Sequence, residues 1–155
     1  MVVGSSPTGP IPSPARRGPH GRSGGSRLTR YATVHAIDFD GTCVDHRYPA
    51  VGPDVPGAVD TMRRIVADDD LLILWTMRSD APLADAVRWF EEHGLPLHGV
   101  NRNPDQHWTN SPKAWAHVYI DDAALGAPLR EVPGFHRPCV DWARVAELLG
   151  LAPAG

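Results

Sequence analysis

The chain has almost no cysteine: Cys43 and Cys139 are the two in 155 residues, too few for a disulfide framework. The eight histidines show no metal-ligand spacing, which excludes a zinc-type centre built from nitrogen and sulfur ligands. No apolar run approaches the length of a membrane span,, and there is no internal repeat. Arg16-Arg17 does not open an export signal, because Gly-Pro-His-Gly follows where an apolar stretch is needed,. These absences lead to the expectation of a cytoplasmic protein. Acid is missing from residues 1–30, which hold Arg16, Arg17, Arg22, Arg27 and Arg30 among Ser, Gly and Pro, and which leave 18 acids for the remainder. This tail has no apolar periodicity and reads as disordered. The acidic body argues against a broad nucleic-acid footprint, and the weakly basic tail is the one feature that could touch an anionic polymer. With 42% hydrophobic residues, residues 31–151 suffice for one domain, and 152–155 form a short C-terminal tail.

From Tyr31 strand and helix patterns alternate. Strands are expected at about Thr33–Asp38, Leu71–Trp75, Leu97–Val100 and His117–Ile120. Helices are expected from near Pro56 to near Asp68, from a cap at Asp80 to Gly94, and after a cap at Asp141. A small strand is expected near Phe135. The run Leu71-Leu72-Ile73-Leu74-Trp75 is apolar without alternation, as in a parallel strand covered on both faces. The pattern implies an α/β fold: an open parallel Rossmann-like sheet with helices on both faces.

Ligands of such sheets bind beyond the carboxyl ends of the strands, and those ends are rich in chemistry. The first strand leads into Asp38-Phe39-Asp40-Gly41-Thr42. A side-chain period of two points Asp38 and Asp40 into one space, with Phe39 opposite. Gly41 lets the chain turn sharply, and the Thr42 hydroxyl can donate to an oxygen there. The second strand exits at Thr76-Met77-Arg78, and the fourth at Asp121-Asp122, eight residues beyond Lys113. Four carboxylates with one lysine, one threonine and no softer ligands describe an oxygen-lined site for a hard cation such as Mg²⁺.

The ordered set D-F-D-G-T, a Thr after an apolar strand, a Lys and D-D resembles the signature of the haloacid dehalogenase superfamily of phosphotransferases. I-D-F-D-G-T-x-V-x-H-R-Y-P, L-I-L-W-T-M-R and I-D-D-x-x-L-G are similar to a small capless group within it. The resemblance covers about residues 33–150. It implies a phosphatase in which Asp38 is the nucleophile that forms an aspartyl-phosphate, and Asp40 protonates the leaving oxygen and then activates water. It implies Mg²⁺ held by the Asp38 carboxylate, the Asp40 main-chain carbonyl and Asp121, with Asp122 direct or through water. Thr76 would bind the phosphoryl group and Lys113 would balance its charge. Arg78 either binds substrate phosphate or pairs with Asp122. His46 and Arg47 lie in the loop that family members fold over the site, where they touch substrate or simply form surface.

Neither position that accepts a cap in this superfamily is enlarged here. An open site suits a bulky or polymeric phosphorylated substrate, or a subunit of a homo-oligomer whose partner supplies the lid. A catalytically silent phosphate-binding or interaction module, or a phosphotransferase, are the competing readings. Cys43 with Arg47 gives C-x3-R, not the C-x5-R of cysteine phosphatases, so Cys43 reads as packing. Trp75, Trp89 and Trp142 fall on apolar stripes and are expected in the core. Trp108 either stacks on a substrate ring or anchors its loop.

Overall fold

The computed structural model describes residues 31–151; the expectation of disordered tails falls on residues 1–30 and 152–155, outside the described residues. The apolar register of β1 (Val34–Ile37), β2 (Leu71–Leu74), β3 (Leu97–Val100) and β4 (Val118–Ile120) builds one parallel sheet in the order β3-β2-β1-β4. Val34 lies opposite Leu71, and Ile37 lies between Leu74 and Ile120. This is the expected open Rossmann-like α/β sheet, and no cap domain is attached among the described residues.

Between the strands, α1 (Ala58–Ala67) buries Ala58, Thr61, Met62 and Ile65, and α2 (Asp80–Glu92) buries Ala86, Trp89 and Phe90. Helix α3 (Trp142–Leu148) starts at Asp141, whose carboxylate accepts from the Arg144 N–H at 3.3 Å. Two antiparallel residue pairs form β5 (Leu129–Arg130) with β6 (Cys139–Val140). Two local expectations are corrected. Phe135 sits in the turn between β5 and β6, with its N–H donating to the Val132 carbonyl, and not in a strand. Ser79, not Asp80, occupies the N-cap of α2; Asp80 is the first helical residue and its carboxylate accepts from the Ser79 hydroxyl. Gly94, at φ +66°, ends α2 as expected,.

The helices are distributed less evenly than a doubly covered sheet suggests. All three contribute to the main core with Ile37, Leu72, Leu74 and Ile120, whereas Val34, Ala36 and Ile73 on the other face pack against Ala116, Leu71, Trp75 and Trp115. Handedness explains this. The β1-to-β2 and β2-to-β3 crossovers run in one direction along the sheet and lie on one face; the β3-to-β4 crossover runs back and lies on the other. That return, residues 101–117, carries Pro104 and Pro112 and no helical periodicity, so it covers its face as irregular chain,. Trp89 and Trp142 are buried as expected, while Trp75 is half-buried on the loop-covered face.

Candidate functional site

Strand β1 ends at Ile37, and the next residues build a tight loop on the Phe39 carbonyl, which accepts from the N–H groups of Thr42, Cys43 and Val44. Asp38 keeps the strand parity of Val34 and Ala36 and so faces the loop-covered side of the sheet. Phe39 is driven the other way into the core, where its ring meets Trp89 edge-on at 5.7 Å. Asp121 and Asp122 leave β4 beside this loop. One oxygen each from Asp38, Asp121 and Asp122 lies within 4.8 Å of the others. Burial raises the Asp38 carboxyl to about 7; the Phe39 N–H opposes this, and Asp121, Asp122 and Asp40 add repulsion,. The donor set fits a hard divalent cation: all the clustered groups are oxygen donors, their charges repel, and the Asp38 carboxyl is held away from its ionised form,.

The loop is built to bring these acids together. Gly41 has φ +85°, and a Cβ on it would lie 2.5 Å from the Asp122 carboxylate oxygen. Its N–H donates to the Val44 carbonyl and its carbonyl accepts from Val140. The fully buried Thr42 donates through Oγ1 to Asp38 at 3.3 Å and accepts from the Asp122 N–H at 3.2 Å. Trp142 of α3 donates its indole N–H to the Thr42 carbonyl at 2.7 Å. Expected to touch substrate, Gly41 and Thr42 instead shape the acid cluster, because their polar groups are spent inside the loop. Cys43 is buried with its thiol on the Asp38 carbonyl, a packing residue as expected.

Asp40 departs from expectation. Its two oxygens accept from Nε and Nη2 of Arg78, both at 2.7 Å, and it is absent from the triad of clustered acids. The strand ends before Asp40, so the period of two does not carry to it, and the long Arg78 side chain captures the carboxylate as a planar fork. Arg78 is 2% exposed and also donates to the carbonyls of Pro49, Ala50 and Pro82, while its guanidinium stands 4.8 Å from the Phe39 ring centroid. Neither role expected of Arg78 is its observed one: it pairs with Asp40, not Asp122, and its buried guanidinium holds the loop after Tyr48.

The partner of Asp122 is His46, whose Nε2 lies 2.9 Å from Oδ2. Arg137 donates to His46 Nδ1 at 3.2 Å, so Nε2 carries the proton and donates to Asp122,. Arg47 turns away: its Nε donates to Asp45 at 2.9 Å and Nη2 reaches the Gly134 carbonyl. The expected substrate contact by Arg47 is thereby replaced by a structural pair. Thr76 and Asp38 do share a hollow of about 360 Å³ with Trp75, Met77, Asn101, Pro112 and Asp121. The Thr76 hydroxyl accepts from the Arg78 N–H and keeps its own proton to donate. Lys113 is not brought to the acids; its ammonium stands 5.2 Å over the Tyr119 ring and lines a neighbouring hollow.

Sequence reasoning missed Asn101, which accepts from the Thr76 N–H at 2.8 Å and orients that turn. Its position at the exit of β3 was the available signal. Arg137 and His136, which hold His46 and Asp45, lie far along the chain and carry no local signal.

No family model matches the chain, and no curated protein matches it. A solved structure, that of a conserved protein coded by a locus of Bacteroides thetaiotaomicron, is 34% identical, with TM-score 0.63 over 77% of this chain and 90% of that one. The chain belongs to that protein's family. The likeness supports the open parallel sheet seen among the described residues.

Proposed function

We propose that this protein is a Mg²⁺-dependent phosphomonoester hydrolase of the haloacid dehalogenase type, acting through an aspartyl-phosphate on Asp38. The observation that carries the reading is the convergence of Asp38, Asp121 and Asp122 within 4.8 Å, at the carboxyl end of the sheet beside the Thr76 hydroxyl. An Asp38 oxygen attacks phosphorus and the bond to the leaving oxygen breaks, that oxygen taking its proton from Asp40. Water then attacks phosphorus and gives a proton to Asp40, releasing inorganic phosphate and regenerating Asp38. Asp38, Asp121, the Asp40 carbonyl and Asp122 would hold Mg²⁺, which would supply positive charge to offset that of the phosphoryl group. Thr76 donates to the phosphoryl group, and Lys113 swings from Tyr119 to balance its charge. The Arg78 fork fixes Asp40 as a carboxylate; to act as the acid, Asp40 must first release one of the two bonds and take a proton from water.

The absence of a cap suits a bulky or polymeric phosphorylated substrate. No helix among the described residues is long and apolar enough to cross a membrane, and Cys43 and Cys139 are free thiols; both support placement in the cytoplasm. Two observations favour a second reading. Asp40 locked by Arg78 and Lys113 turned onto Tyr119 also suit a catalytically silent phosphate-binding module. Phosphate release from an aryl phosphate and a phosphometabolite panel separates the two. The expected result is turnover with Mg²⁺, none with EDTA, and a fall of at least roughly a thousandfold in Asp38→Asn. Turnover unaffected by that substitution would sink the mechanism, and no turnover by folded, Mg²⁺-binding protein would favour the silent module.

A further inference from the structure

A second hollow, of about 370 Å³, lies on the same sheet face as the acids, lined by Trp108, Thr109, Ser111, Lys113 and Tyr119 among others. Continuity with the acidic hollow comes from two directions. Pro112 lines the acidic hollow and Lys113, the next residue, lines this one. Along β4, Tyr119 pairs with Ala36 on the face that Ala36 presents, and the strand leads directly into Asp121.

Two aromatic rings are presented here at fixed angles. Trp108 is 39% exposed and braced edge-on by Trp115 at 5.7 Å. Tyr119 is 38% exposed, with its hydroxyl anchored on the Ala114 carbonyl at 2.6 Å. Gln106 stiffens the rim, accepting from the Trp115 N–H and donating to the carbonyls of Ser111 and Lys113. Polar groups at the edge retain donors: the Thr109 and Ser111 hydroxyls each accept a backbone N–H and keep their own proton to give. Aromatic faces and hydroxyl donors match a planar ring bearing acceptor atoms at its edge. A plain alkyl chain would leave the hydroxyls unanswered, and a bare phosphate would leave the rings unused.

We propose that this hollow is the leaving-group subsite, and that it takes a planar heteroaromatic ring such as the base of a nucleoside monophosphate, with the phosphate at Asp38. The inference rests on the phosphatase reading and names its substrate class. Movement of Lys113 from the Tyr119 face to the phosphoryl group opens that face to the incoming ring.

The test measures binding of adenosine monophosphate and of glycerol phosphate to full-length Asp38→Asn protein with Mg²⁺, by indole fluorescence and calorimetry. Adenosine monophosphate should bind about tenfold or more tightly than glycerol phosphate. In a Trp108→Ala background that preference should vanish with glycerol phosphate binding unchanged, while Trp108→Phe should restore most of it; unchanged melting temperatures certify folding. Equal affinities before substitution, or a preference that survives Trp108→Ala, would overturn the subsite. Ring preference in a protein whose wild type hydrolyses nothing would refute the phosphatase reading and leave the subsite standing as a binding site.

Discussion

Asp38 and Asp45 lie in the same loop, both are shielded from water, and they ionise in opposite directions. Burial pushes Asp38 up to about 7, and Asp121, Asp122 and Asp40 add repulsion. Burial also works against Asp45, but hydrogen bonds from His136 and Arg47 outweigh it and bring the carboxyl down to about 2. The difference is in the partners. Asp45 is a completed structural clamp between the loop and the 134–136 turn. Asp38 has no such clamp and sits in an acidic cluster, as the proposed Mg²⁺ site requires,.

Removing a partner should convert one kind of aspartate into the other. Arg78→Ala leaves Asp40 without the fork that holds both its oxygens, and should cost about 3–5 kcal/mol in denaturant unfolding. A cost under about 1 kcal/mol would mean that the pair is not a structural lock.

The contrast between the two acids is itself visible in pH. Folded Asp38 holds its proton more tightly than the unfolded chain does. In EDTA its contribution to stability is therefore full below about pH 4 and is lost as pH rises to about 7, on the order of 3 kcal/mol once partial exposure is allowed for,. Asp38→Asn should abolish this loss, and Mg²⁺ should reverse it in the wild type. Melting temperatures that stay flat across this window in EDTA would dissolve the contrast.

Asp45 runs the other way. Its contribution is present above about pH 4 and is lost as pH falls toward about 2, a difference of about 2 kcal/mol,. Asp45→Asn should lower stability at neutral pH by a similar amount and flatten the acid limb, leaving Mg²⁺ affinity unchanged. The smallest effect belongs to Arg47→Ala. Arg47 is half-exposed while His136 keeps two bonds to Asp45, so unfolding should shift by no more than about 1 kcal/mol,. A larger shift would make Arg47, not His136, the principal clamp.

Most of the sheet was legible locally. Apolar runs and turn residues placed the four parallel strands and three helices within a few residues, because strand and helix periods are properties of short segments. Asp38, Thr76, Asp121 and Asp122 were legible for a related reason: strand exits in an open parallel sheet converge whatever joins them. Asp40 was misplaced because a rule for extended chain was carried past the strand's last residue. Lys113 was misplaced because a polar loop has no period from which to read where its side chain points.

By itself, then, the sequence determined the strand order of acids, hydroxyl and lysine, the glycine that the tight loop demands and the absence of room for a cap. Tertiary structure alone decided which acid met a basic side chain of the protein's own. Arg78 reaches Asp40, His46 reaches Asp122, and His136 and Arg47 reach Asp45, while Asp38 is left among carboxylates. The reason is distance along the chain: these side-chain pairs act over a few ångströms in space, and 38, 76 and 91 residues separate three of them,.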